Sequence, residues 1–177
     1  ALMACGVAAF RVLSKLKGKN LKQLADFTCG HSLGEYTAMT VAKVFSLKES
    51  AILLRLRGEA MQQAVPVGKG AMAALIGITI NQTIKIIKKT KIHGICDIGN
   101  DNSDGQVVIS GDTRVVENAI EIAKQNGAKR AVLLPVSAPF HCRLMEPARV
   151  IMEEALNNLK FEVPLIPVVS NTTALAH

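Results

Sequence analysis

Apolar and polar positions follow two periods along this chain, and the changes of period mark its elements. Residues 2–16 carry apolar side chains at helical spacing, and Lys17-Gly18 supplies a stop. Residues 24–29 form a short apolar run that leads into Gly30-His31-Ser32-Leu33-Gly34, and residues 35–44 are helical again. Ser46 and Glu49 have S-x-x-E spacing, a capping box in which each side chain bonds the other residue's backbone N–H. They open a helix carrying Ile52, Leu53, Leu56, Ala60 and Met61 to about residue 65. Pro66 ends it, because Pro lacks a donor and restricts its predecessor.

The texture then changes. Residues 71–78 read as a strand, 81–89 as a helix, 92–98 and 106–110 as strands. Residues 113–126 form an amphipathic helix stopped by Gly127, and 130–136 read as a strand. Strand, helix, strand, strand, helix, strand is the split βαβ order of a ferredoxin-like unit, predicted here over residues 67–134. Residues 147–159 then read as a helix, and 163–170 as a strand returning to the first region. The fold class is therefore α/β, with residues 1–66 and 135–177 forming one region around the inserted sub-domain. That region has one strand before the glycine-rich turn and one near the end. A strand-to-helix elbow sits on a multi-stranded parallel sheet, so further strands are expected beyond both ends of the sequence.

The composition narrows the classes. Hydrophobic residues make up 49% of 177, enough for a core, but aromatics are 3% and Trp is absent, so that core rests on aliphatic side chains. Charges break every apolar stretch before membrane-spanning length, which predicts no membrane insertion. Residues 1–13 are apolar without a basic leader or small-residue cleavage site, and no Met precedes them. They read as an internal helix of a longer protein. Cys5, Cys29, Cys96 and Cys142 show no metal-ligand spacing, which points to a reduced, cytoplasmic setting and no metal. Twenty-one basic residues against 14 acidic give +7, favouring anionic partners. Nucleic acid fits poorly, because aromatics do not interleave with the basic residues. Gly68-Lys69-Gly70 lacks the rest of a phosphate loop. Lys85, Lys88, Lys89 and Lys91 form a basic run that is either a docking face for an acidic protein or a solvated helix face.

Gly30-His31-Ser32-Leu33-Gly34 fits G-x-S-x-G, the pattern that puts a nucleophile on a sharp strand-to-helix turn. The following helix aims its free N–H groups at a new oxyanion. The competing reading is a plain N-cap serine. A serine nucleophile needs a base. Of the four histidines, His31 is beside the serine on the turn, His93 is at a strand edge, and His177 is the last residue. His141 follows Leu134-Pro135-Val136-Ser137-Ala138-Pro139-Phe140, a strand end and Pro-rich turn suited to presenting a side chain over a cleft. From the residues alone it is either that base or a satisfied structural histidine.

The segment Gly30-His31-Ser32-Leu33-Gly34-Glu35-Tyr36 resembles the nucleophile motif of the malonyl-CoA:acyl carrier protein transacylase family, bacterial stand-alone type, and of related polyketide acyltransferase domains. Further segments match in order: Arg57 to Gln62, Gly70 to Ala74, Gln106 to Gly111, Leu134 to Cys142, and Pro167 to Asn171. The resemblance implies an α/β-hydrolase-like core with a ferredoxin-like insertion. It implies Ser32 as acyl-accepting nucleophile and His141 as general base. Arg57 would bind the malonyl carboxylate, since a guanidinium fork offers two parallel N–H bonds. The Leu33 N–H would be an oxyanion donor, and Met61, Val136 and Phe140 would line the acyl pocket. Phe140 before the histidine implies malonyl over methylmalonyl, and Asn102 would contact the pantetheine arm. The implied substrates and partners are malonyl-CoA and acyl carrier protein, with no cofactor, in fatty-acid supply. The family's second oxyanion donor, a Gln in a Gly-Gln-Gly motif, lies outside residues 1–177. So does the Gln whose carbonyl orients the histidine. Loss of one such donor costs about a hundredfold in rate or more, so the implied activity belongs to a longer parent. The alternatives are an acyltransferase domain of a polyketide synthase, a serine esterase or thioesterase of hydrolase-like fold, which shares the elbow without needing Arg57, and a carrier-binding module, which would need neither nucleophile nor base.

Overall fold

The computed structural model describes residues 1–90 and 93–177; Lys91 and Ile92, named above in the basic run and in a predicted strand, lie outside the described residues. In chain order the elements are α1 (Leu2–Lys17), α2 (Leu21–Leu24), β1 (Thr28–Cys29), α3 (Leu33–Val41), α4 (Leu47–Ala64), β2 (Gly70–Ile76) and α5 (Ile80–Lys89). They continue with β3 (Cys96–Ser103), β4 (Gln106–Asp112), α6 (Thr113–Gln125), β5 (Arg130–Leu133), α7 (Glu146–Asn157) and β6 (Val168–Val169). Two compact units divide the chain: Ala1–Leu56 with Glu154–His177, and Arg57–Glu153. The architecture is mixed α/β, as expected from the sequence.

In the first unit β1 and β6 form a parallel pair, Thr28 opposite Val168 and Cys29 opposite Val169. α1 ends on Gly18 at φ 61, the left-handed cap that glycine adopts without a Cβ penalty. The apolar run at 24–29 yields only the two residues of β1. Asn20 and Gln23 form a reciprocal capping box that winds residues 21–24 into a short helix instead. The strand expected over 163–170 is likewise cut to two residues. Pro164 and Pro167 have no N–H to give a ladder, and the Leu165 N–H donates to the Ala42 carbonyl (2.8 Å) rather than to a strand. Phe45 packs between Tyr36 and Phe161, ring centroids 6.3 Å from each. The Thr40 hydroxyl bonds that of fully buried Ser50, tying α3 to the start of α4. The Ser46–Glu49 box forms as expected (2.7 and 3.2 Å) and holds the Glu49 carboxyl below its ordinary pKa, first through the Ser46 hydroxyl and then through its backbone N–H.

The second unit is built on a four-stranded antiparallel sheet in the order β3-β4-β2-β5, with α5 between β2 and β3 and α6 between β4 and β5. This is the split βαβ arrangement. Ala73 and Leu75 of β2 and Ile109 of β4 are fully buried on one face. Ile86 of α5 and Val116 and Ala119 of α6 close over them. Burying each large aliphatic side chain contributes roughly 1.5–3 kcal/mol. α5 starts at a Thr79–Gln82 capping box. The strand predicted at 92–98 begins instead at Cys96 and runs to Ser103. Its entry is set by Asp112, whose carboxylate accepts the Ile95 N–H at 2.6 Å, and by Gly111, where a Cβ would stand 2.0 Å from the Ile95 carbonyl oxygen. Polar Asn100 to Ser103 stay in register, with irregularities, because an edge strand needs only backbone groups to pair. β5 stops at Leu133; the Leu134 N–H still reaches the Met72 carbonyl, but Pro135 has no donor to continue.

Candidate active site

The first unit carries the elbow. β1 runs into Gly30 and His31, and α3 starts at Leu33. Between them Ser32 has φ 53 and ψ −109, a conformation that costs a non-glycine residue on the order of 1–3 kcal/mol. Such strain persists only where the surroundings enforce it. A Cβ on Gly30 would stand 2.0 Å from the Gly34 carbonyl carbon and 2.6 Å from the Glu35 nitrogen, so the turn closes only over glycine. Gly34 differs: a Cβ there would meet nothing within 4 Å among the described residues. The Gly34 N–H bonds the His31 carbonyl (2.9 Å) and the Glu35 N–H the Ser32 carbonyl (3.1 Å). Leu33, the first residue of α3, has an N–H with no carbonyl in its own helix. The Ser32 N–H donates to Asn171 Oδ1 at 2.7 Å, and the Asn171 N–H donates to Glu35 Oε1 at 3.3 Å. Beside the elbow lies an apolar cavity of about 620 Å³ lined by Leu2, Gly6, Phe27, Cys29, His31 and Leu33, among others. Ser32 itself is not among the residues that line it.

The second unit holds the remaining candidates. Arg57 and Met61 are one helical turn apart on α4. Met61, 8% exposed, packs in a cluster with Ala60, Val65, Met145 and Ala148, and Phe140 rests against it. Met61 and Phe140 are thus brought together. Val136 is outside that cluster and 39% exposed, and Asn102 is on the exposed part of β3. His141 is half-buried with φ 61, a positive value that it shares with Ser32, Lys43 and Ala174. Its loop is fastened on several sides. Gly70 leaves room for buried Pro139, whose ring carbon would be 2.2 Å from a Cβ at position 70. Gln62 Nε2 reaches the Ser137 carbonyl (3.4 Å), and Cys142 Sγ donates to the Pro139 carbonyl (3.1 Å). The Arg143 guanidinium forks onto Asp97 (2.9 and 3.1 Å), and the Arg143 backbone N–H donates to the same carboxylate (2.9 Å). Burial alone would raise the Asp97 pKa; the bonds from Arg143 outweigh it and leave the carboxyl below its ordinary value. Burial pushes the Cys96 thiol up to about 12 and raises Cys142 as well, so neither is a ready thiolate.

His31 and His93 are exposed, and His177 is exposed with its ring 3.4 Å from the Thr173 hydroxyl. Among the described residues no three His, Cys, Asp or Glu side chains gather as a metal site. No described helix is long and apolar enough to cross a membrane. Sequence reading assigned no role to Asn171, Glu35, Asp97 or Arg143. The Asn171–Ser32 bond spans 139 positions and the Asp97–Arg143 pair 46, separations at which local pattern carries no signal.

A strained serine at the head of a helix, two residues from a glycine on each side, is the mark of an acyl-transferring or ester-cleaving serine protein. The comparisons narrow that class. A family model described as acyl transferase domain matches residues 1–177, and the chain belongs to that family. The chain is 43% identical over 175 residues to the malonyl CoA-acyl carrier protein transacylase of Bacillus subtilis (strain 168), covering 98% of this chain and 54% of the relative. An acyl-carrier-protein-S-malonyltransferase structure from Bartonella henselae is 49% identical with TM-score 0.95, covering 100% of this chain and 56% of that one. A malonyl-transacylase solved in complex with a type II PKS acyl-carrier protein is 41% identical with TM-score 0.93, covering 100% and 56%. The chain spans about half the length of the curated relatives it matches.

Proposed function

We propose that this chain carries the nucleophile and base of an enzyme that transfers a malonyl group from malonyl-CoA to the phosphopantetheine thiol of an acyl carrier protein. The observation that carries the reading is the elbow: Ser32 at φ 53 heading α3, over a glycine that no larger residue can replace. In the proposed reaction His141 takes the Ser32 proton as Oγ attacks the thioester carbon. The tetrahedral oxyanion rests on the Leu33 N–H. The carbon–sulfur bond breaks, coenzyme A leaves with the proton from His141, and the malonyl ester stays on Ser32. The carrier thiol then attacks that ester, His141 again moving the proton, and free serine returns. Arg57 holds the malonyl carboxylate throughout. Met61, Phe140 and Val136 line the acyl pocket, and Asn102 meets the pantetheine arm. Proton transfer and thioester exchange use no metal or prosthetic group. The corresponding domain reading is a hydrolase-like core over residues 1–66 and 135–177 with a ferredoxin-like sub-domain over 67–134, in a cytoplasmic protein.

Names carried by the relatives support the substrate and the partner. The exposed lysines Lys85, Lys88 and Lys89 of α5 offer a basic face to an acidic carrier. Charge reversal there should raise the Michaelis constant for carrier protein, and an unchanged constant would remove the docking role.

Mass spectrometry of the full-length protein after mixing with malonyl-CoA tests the chemistry. One malonyl mass on Ser32, lost on adding holo carrier protein and retained in buffer, is the expected result. Loss to water alone would make this an esterase, and no adduct a binding module.

A further inference from the structure

The strained turn at Ser32 is held on its helical side by two local backbone bonds, Gly34 N–H to His31 and Glu35 N–H to Ser32. On the other side the Ser32 N–H goes to Oδ1 of Asn171 at 2.7 Å. Parallel pairing of β1 with β6 makes this possible. Cys29 is opposite Val169, and just past the ends of both strands Asn171 meets the elbow. Asn171 is itself oriented, its N–H donating to Glu35 Oε1 (3.3 Å) in the first turn of α3. Backbone 32, side chain 171, backbone 171 and side chain 35 therefore form one closed circuit across the turn.

We infer that Asn171 is a positioning residue for the nucleophile: its carboxamide fixes the peptide between His31 and Ser32, and with it the direction of Ser32 Oγ and of the Leu33 N–H. The inference rests on the reading of Ser32 as nucleophile and adds what aims it. Because Asn171 takes the Ser32 N–H, the oxyanion role falls to the next N–H, that of Leu33. The rate consequence follows from orientation: a displacement of about 1 Å at a reacting atom costs on the order of a hundredfold without weakening substrate binding.

The test uses the full-length protein with Asn171→Leu, of similar bulk without the acceptor, and Asn171→Asp, which keeps an oxygen in place. Single-turnover labelling of Ser32 is measured with malonyl-CoA and with a fluorophosphonate, and Ser32 amide exchange by NMR. In Asn171→Leu the maximal labelling rate should fall roughly 10- to 100-fold. The half-saturating malonyl-CoA concentration should stay within about threefold, and the Ser32 amide should exchange faster. Asn171→Asp should recover most of the loss. Wild-type labelling in Asn171→Leu, equal losses in both variants, or unchanged Ser32 exchange overturns the inference. If Asn171→Leu does not fold, Glu35→Leu, which leaves Asn171 unanchored, should slow labelling severalfold, and an unchanged rate there overturns it equally. A wild-type chain labelled by fluorophosphonate but not by malonyl-CoA would sink the substrate reading and leave the role of Asn171 to the same rates. A full-length wild type labelled by neither overturns both.

Discussion

The G-x-S-x-G pattern treats its two glycines alike, but the structure gives them unequal work, and paired substitutions separate them. In Gly30→Ala the new Cβ would stand 2.0 Å from the Gly34 carbonyl carbon and 2.1 Å from its oxygen, where real Cβ atoms essentially never come within 3.0 Å. The obstacle is backbone, so no side chain can swing aside. The elbow must open by about an ångström, which overpacking data put at roughly 1–3 kcal/mol. A shift of that size in Ser32 is worth about a hundredfold in acylation rate. In Gly34→Ala the Cβ meets nothing within 4 Å, and alanine is the better helix former by up to about 1 kcal/mol. Thermal midpoints and the single-turnover rate of malonyl-CoA labelling measure both effects. Gly30→Ala should lower the midpoint and nearly abolish labelling; Gly34→Ala should keep the midpoint and most of the rate. Equal damage from the two variants, or a fully active Gly30→Ala, would refute the steric argument.

Further outcomes are expected elsewhere. Arg57→Ala should move preference from malonyl towards uncharged acyl groups such as acetyl, read as the ratio of the two kcat/KM values; undiminished malonyl preference would contradict the carboxylate role. Ile109→Ala, at a site of zero exposure in β4, should cost about 2–5 kcal/mol in urea unfolding. Asp97→Asn should loosen the His141 loop with a definite pH signature. Because the folded-state pKa of Asp97 is lowered, the contribution of its charge is fully present above the unfolded value, about 3.9. It fades as pH falls through the folded value. The gap in unfolding midpoint between wild type and Asp97→Asn should therefore hold steady from pH 7 to 5 and close only in stronger acid. A gap that closes near neutrality would assign the effect to another group.

What the sequence made legible depends on how far each signal travels along the chain. Capping boxes, glycine stops and period changes are local, and they located α4, α5 and α6 to within a residue or two. Strands that owe their length to a partner were misjudged in both directions. Polar residues 100–103 remain in β3 because β4 offers them backbone groups, whereas apolar residues 163–167 leave the ladder because their prolines cannot donate. The candidate site divides the same way. Ser32, Arg57 and His141 stand in contiguous motifs, but the groups that hold two of those positions do not. Asn171 reaches Ser32 across 139 residues, and Asp97 grips the residue two past His141 across 46. Both Ser32 and His141 are in the left-handed region, where an ordinary residue relaxes unless something outside its own peptide prevents it. A motif can therefore announce which side chain reacts, while the restraint that keeps it strained comes from a distant segment. Substitutions at Asn171 and Asp97, remote from every reacting atom in sequence, should consequently impair turnover more than substitutions at motif positions such as Gly34.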